Sequence, residues 1–182
     1  MKISKKVLMI VMISAIIAGS LGLLRASAEG VSMTDQQIEL IRSSCLSTKS
    51  TLNQLHVSDA LLRVNRGQIY ESMSTKLMER FNSRTSNNRY NNSELVAATA
   101  SYGQAVDKFR LDYIDYEQQL SLAINADCSN QPVVFYDAVA SARNKRNQVH
   151  ADVSQLNQYI DQYQLALDKF EKDYQSATSG GK

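Results

Sequence analysis

An all-α protein, an elongated antiparallel bundle of three long helices with coiled-coil-like packing in up-down-up order, is predicted by three features of the sequence. The last third carries a heptad series, Phe135, Val139, Ala142, Arg146, Val149, Val153, Leu156, Ile160, Tyr163, Leu167, Phe170 and Tyr174, spaced alternately by four and three. Such spacing specifies a long helix whose apolar seam other helices must cover. Two breaks divide the remainder: an Asn- and Ser-rich run at 86–93, and residues 126–131 leading into Pro132, the only proline. Connections of about six residues force successive helices to reverse. Strand-like alternation and internal repeats beyond the heptads are absent.

Residues 1–28 read as an export signal, with Lys2, Lys5 and Lys6 before an apolar stretch at 7–24 and the small-residue pattern Ala26-Ser27-Ala28 after it. That stretch approaches the length that spans a bilayer, so an uncleaved N-terminal anchor is the competing reading. On either reading the lysines stay inside and residue 29 onward is extracytoplasmic, secreted or in the cell envelope. Four of the 20 Lys and Arg fall in this segment and none of the 18 Asp and Glu, leaving 16 basic against 18 acidic groups, net −2, in the exported part. The formal +2 of the whole chain is therefore no argument for nucleic acid or an anionic membrane as partner.

Residues 29–34 form a linker ending in Thr34-Asp35-Gln36-Gln37, a capping box with a hydroxyl at the N-cap and an amide three residues on. The first helix starts there, with Ile38, Ile41, Cys45, Leu52, Leu55, Leu62, Ile69, Met73, Leu77 and Phe81 on its seam, and ends before the polar run that begins at Asn82. The Ser/Thr cluster at 43–51 is its weak point, because those side chains compete for backbone hydrogen bonds. The second helix runs from Ser93 to Asn125 with Leu95, Ala98, Tyr102, Ala105, Phe109, Asp112, Tyr116, Leu120 and Ala123 on its seam. Pro132 suits a first helical turn, so the third helix begins there and ends near Gln175. The bundle is thus 35–175, and 176–182, with Gly180-Gly181, is a disordered tail.

Charges on the seams demand partners. Folding the chain about its two bends sets Arg146 level with Asp112, and Asp112 level with a position near 68, close to Arg66. The expected polar layer is therefore Arg66, Asp112 and Arg146, completed by Asp59, Arg63 or Asp115, since a carboxylate between guanidiniums accepts charge-assisted hydrogen bonds. Such a layer reads first as a register device that stops heptad helices from sliding. It reads second as an anion-binding pocket, with Gly67 allowing close approach beside Arg66. If the register differs, these groups are simply solvated.

Cys45 and Cys128 are expected to pair, because an oxidising compartment favours it and the second bend comes alongside the early part of the first helix. Two reduced, buried thiols are the alternative. Among nine tyrosines, Tyr102, Tyr116, Tyr163 and Tyr174 fit the core, and Tyr70, Tyr113, Tyr136 and Tyr159 fall at the seam edge. Arg80, Arg84 and Arg89 are level with Asp161, Asp168 and Glu171, a surface charge match.

His56 and His150 are too few and too far apart for a shared metal site. No phosphate-binding glycine loop, nucleophile elbow, His-Glu-x-x-His or Cys-x-x-Cys occurs. No enzyme activity, cofactor or metal is expected. The expected role is a non-enzymatic exported helical bundle acting in protein–protein interaction or as a structural element of the bacterial cell envelope or secretome. A protein partner is expected, self-association is compatible with three helices that leave seams open, and membrane contact arises only if the N-terminal segment stays uncleaved. The competing classes are an extracytoplasmic small-anion-binding module using the charged layer and a chaperone-like binder of exported clients.

Overall fold

The computed structural model of the protein describes residues 33–179. The expected signal or anchor at 1–28, most of the linker and residues 180–182 lie outside the described residues. Helix α1 spans Asp35–Ser72, a π-helical turn covers Met73–Met78, α2 spans Glu79–Asn87, α3 Ser93–Asn125 and α4 Pro132–Ser179. The first three follow one another without interruption as a single arm. With reversals between Asn87 and Ser93 and between Asn125 and Pro132, the described residues form an all-α three-helix bundle with no strand among them.

The capping box forms at Thr34: the Gln37 N–H donates to Thr34 Oγ1 at 3.3 Å and the Thr34 N–H to Gln37 Oε1 at 2.8 Å. The weak point at 43–51 does not interrupt the helix. Ser43 and Ser44 donate to the Leu40 carbonyl, Ser47 to that of Ser44 and Thr51 to that of Ser47. These hydroxyls bond back to carbonyls the helix already uses, so they add to its ladder rather than replace it.

The irregularity lies later, and it moves the seam. Cys45, Leu52 and Asp59 follow the heptad, but the next buried residue is Tyr70 rather than Arg66. An eleven-residue step returns to nearly the same face of an α-helix. From Tyr70 the buried positions advance by four, through Ser74 and Met78 to Asn82. In an α-helix each such step drifts by about 40°; the wider π turn takes up that drift and keeps the three residues on the core side. Leu62, Ile69 and Leu77, expected on the seam, are consequently exposed.

The arm also runs further than expected, because Asn82 and Thr85 are core residues and not the start of a loop. Asn82 donates through Nδ2 to Thr99 Oγ1 at 2.8 Å and to the Leu95 carbonyl at 3.3 Å, and its Oδ1 accepts from Tyr163 at 3.2 Å. One buried amide thereby ties all three helical arms together. Asn92 closes the bend by donating to the Asn82 carbonyl and to Thr85 Oγ1, both at 2.7 Å. The helix ends in a Schellman arrangement, with Tyr90 N–H on the Thr85 carbonyl, Arg89 N–H on that of Ser86, and Arg89 itself left-handed at φ 61°.

At the other end Cys45 and Cys128 are disulfide-bonded, their Cα atoms 5.6 Å apart. Arg42 Nε adds a bond to the Ser129 carbonyl. The bridge belongs to a core cluster with Tyr116, Leu120 and Phe135, and a second cluster toward the first bend centres on Met78, Tyr102, Phe109 and Leu156. Tyr70 and Tyr113 are buried rather than at the edge, whereas Tyr174 is exposed and stacks edge-on against Tyr90 at 5.2 Å. Residues Ser176 to Ser179 continue α4 instead of starting a disordered tail, their hydroxyls bonded back to carbonyls one turn earlier.

Candidate functional site

The expected layer of Arg66, Asp112 and Arg146 does not assemble. Its members divide between two charge groups, and Arg66 stands apart from both. In the first group Arg146 donates to Asp59 through Nε at 2.8 Å and through a terminal nitrogen at 3.3 Å, while the Tyr116 hydroxyl donates to the same carboxylate at 2.7 Å. Each of the three comes from a different arm. Burial pushes the Asp59 carboxyl up, but the hydrogen bonds from Arg146 and Tyr116 outweigh it and hold it below the ordinary 3.8. Burial and the Asp59 charge together push the Tyr116 phenol upward.

In the second group Lys108 donates to Asp112 at 2.6 Å and to Asp152 at 2.5 Å. Asp112 is only half-buried, whereas Asp152 is 2% exposed and its Oδ2 has no hydrogen-bond partner among the described residues. The bond from Lys108 holds Asp112 below the ordinary carboxylate range. Burial holds Asp152 above it despite the same lysine. Asp115 pairs at the surface with Lys145 at 2.9 Å, and Arg63 lies over the Tyr113 ring, 4.9 Å from its centroid.

The misplacement has a physical cause. Between α3 and α4 the pairs Lys145–Asp115 and Lys108–Asp152 stand within one turn of the expected register. The first arm is offset by more, so that Asp59 rather than a position near 64 meets Tyr116. The eleven-residue step and the π turn both lie between the first bend and Asp59, and the buried seam passes from Asp59 directly to Tyr70, leaving Arg66 exposed at its edge. Gly67 permits no close approach either: a Cβ there would meet nothing within 4 Å. Lys108, Asp152 and Asn82 were absent from the expected polar core. Asn82 and Thr85 carried a signal, a three-residue step that prolongs the arm's seam, while the burial of Asp152 depends on a lysine from another helix.

His56 faces Glu117, 3.6 Å away, and His150 stands elsewhere, on α4. No group of three metal-ligating side chains occurs among the described residues. The surface match expected for Arg80, Arg84 and Arg89 does not form among the described residues, where Lys169–Glu94, Arg110–Glu71 and Lys145–Asp115 are pairs that link helices at the surface.

Above the Asp59 group, α1 and α4 part to leave a cleft of about 340 Å³ floored by Phe109, Tyr113 and Tyr116 of α3. Arg63 and Arg66 line it from α1, and Arg146, Val149, His150 and Val153 from α4. Among the described residues no helix is long and apolar enough to cross a membrane. The fold and its charged groups define a disulfide-bonded, all-α bundle with a few charged and polar groups set in an apolar core. Beyond that class, no protein-family model, curated protein or solved structure matches the chain.

Proposed function

We propose that this is a non-enzymatic exported protein of the bacterial cell envelope or secretome that works by docking its first helix onto another protein surface, the first such partner being a second copy of itself. The observation that carries this is an apolar stripe on the outer side of α1. Val57, Leu61 and Val64, spaced by four and three, are 62%, 64% and 53% exposed. At 100° per residue they lie opposite the seam formed by Cys45, Leu52 and Asp59. The helix therefore has a second coiled-coil-like face.

The flanks of the stripe favour self-pairing. Asn53, Gln54, Ser58, Asn65 and Gln68 surround it, all exposed and all uncharged. Two copies related by a two-fold axis meet there without opposing like charges, and an isologous contact buries the same stripe on both. The buried carboxylates each have a cation, Asp59 held by Arg146 with Tyr116 and Asp152 by Lys108 through one oxygen. That pattern suits a structural core better than a nucleophile beside its base. The cysteine pair is compatible with an oxidising, extracytoplasmic setting.

Molar mass by light scattering across a concentration series tests the proposal. The wild-type chain is expected to reach twice its monomer mass. Leu61→Glu should stay monomeric with unchanged helicity, since position 61 makes no core contact. A wild-type chain that remains monomeric throughout, or a Leu61→Glu dimer of equal strength, refutes it.

A further inference from the structure

The cleft between α1 and α4 lies on the side of α1 opposite the docking stripe, and it carries more positive charge than its one carboxylate neutralises. Asp59 is taken up by Arg146 through two hydrogen bonds. Arg63 is stacked on Tyr113. Arg66 makes no ion pair among the described residues, whose pairs are all formed by other cations. Its guanidinium stands at a cavity whose volume, about 340 Å³, falls in the range of small-molecule sites. The rest of the wall is hydrocarbon: Leu62, Phe109, Val149 and Val153. One part of the cleft thus offers fork-shaped donors, and the other offers apolar surface.

We propose that this cleft binds a small amphipathic carboxylate, with its anionic head on Arg66 and its apolar body along Phe109, Val149 and Val153. A planar carboxylate matches the paired N–H donors of a guanidinium, which gives a bidentate, charge-assisted contact. The apolar wall gains from burying hydrocarbon, which an inorganic ion lacks. Nothing in this site depends on self-association, because Leu61 and Arg66 face opposite sides of the helix.

Calorimetric titration of the intact, disulfide-bonded chain with octanoate and with phenylacetate tests the proposal, with 1-octanol and inorganic phosphate as the neutral and the purely ionic comparison. At least one carboxylate should bind saturably at one site per chain. Arg66→Gln should weaken it about tenfold, the loss of one charge-assisted contact. Arg80→Gln, at a separate surface groove, should bind as the wild type does. Both variants should melt with the wild type, since both positions are exposed. The proposal is overturned if neither carboxylate saturates, if Arg66→Gln binds unchanged, or if octanol or phosphate binds as tightly as the better carboxylate. The Leu61→Glu variant should keep full affinity, so a failed dimer and a failed ligand site give different results.

Discussion

At the scale of single residues, charge inside the bundle behaves in two ways. Asp59 receives three hydrogen bonds from two other arms, and they outweigh the burial that disfavours its charge. Its removal leaves the half-exposed Arg146 and the buried Tyr116 without their acceptor. Asp59→Ala should therefore cost about 2 kcal/mol, below the loss seen for fully buried pairs because Arg146 reaches solvent. The pH dependence has a definite sign. A carboxyl whose folded value is depressed below 3.8 contributes stability that is present above its unfolded value and lost as pH falls through the folded one. Thermal unfolding by circular dichroism should show the gap between wild type and Asp59→Ala wide at neutral pH and narrowing in acid. A constant gap would mean that Asp59 acts through shape and not charge. Asp152 is the opposite case, a carboxyl raised by burial whose lysine is shared with Asp112. Its bond to Lys108 links α4 to α3, and burial of its charge costs stability at neutral pH.

The elements show how local chemistry places these residues. The π turn is the feature on which the first arm depends: without it, the four-residue steps from Tyr70 to Asn82 would wind around the helix and take Asn82 out of the core. The arm then ends on Arg89 in left-handed backbone, a conformation that costs a residue with a Cβ and suits glycine. Arg89→Gly should accordingly raise stability by about 0.5 kcal/mol, the relief of the left-handed strain exceeding the added freedom of the unfolded chain. Chemical denaturation measures this directly. A destabilised variant would show that the Arg89 side chain contributes contacts that outweigh its backbone.

For the whole molecule, the disulfide and the buried amide of Asn82 fasten the two ends of the bundle. Between Asp35 and Ser72 only Cys45, Leu52, Asp59 and Tyr70 are buried, so α1 is held by few side chains over a long span. The Cys45–Cys128 bond closes a loop of 83 residues, for which chain entropy gives about 4 kcal/mol. Reduction should lower the melting temperature and raise amide exchange most in the first turns of α1, before Leu52, while the α3–α4 pair stays protected. Uniform exchange across all three arms would show that the bundle opens only as one unit. The apolar outer stripe and the arginine-lined cleft occupy opposite sides of this lightly held helix. The proposed dimer contact centres on Leu61 and the proposed ligand head on Arg66, while Leu62 borders both surfaces.

The bounds of α3 and the start of α4 were readable from sequence because caps, turn residues and a proline act locally, and a heptad repeated along α4 has a single interpretation. The cysteine pair was readable as well, since the two bends alone bring residue 128 close to residue 45. The partners of the charged residues were not. A charge on a seam announces that it needs a counter-ion, but its identity depends on height and rotation, and both accumulate small local departures along the helix. One eleven-residue step carried the buried seam from Asp59 past Arg66 to Tyr70, so that Asp59 holds the central level and Arg66 is exposed at a cleft. Periodicity in the chain determined three helical arms, their order and the crosslink. Only packing in three dimensions decided which polar groups meet, because hydrogen bonds act over about 3 Å, less than the rise of one helical turn.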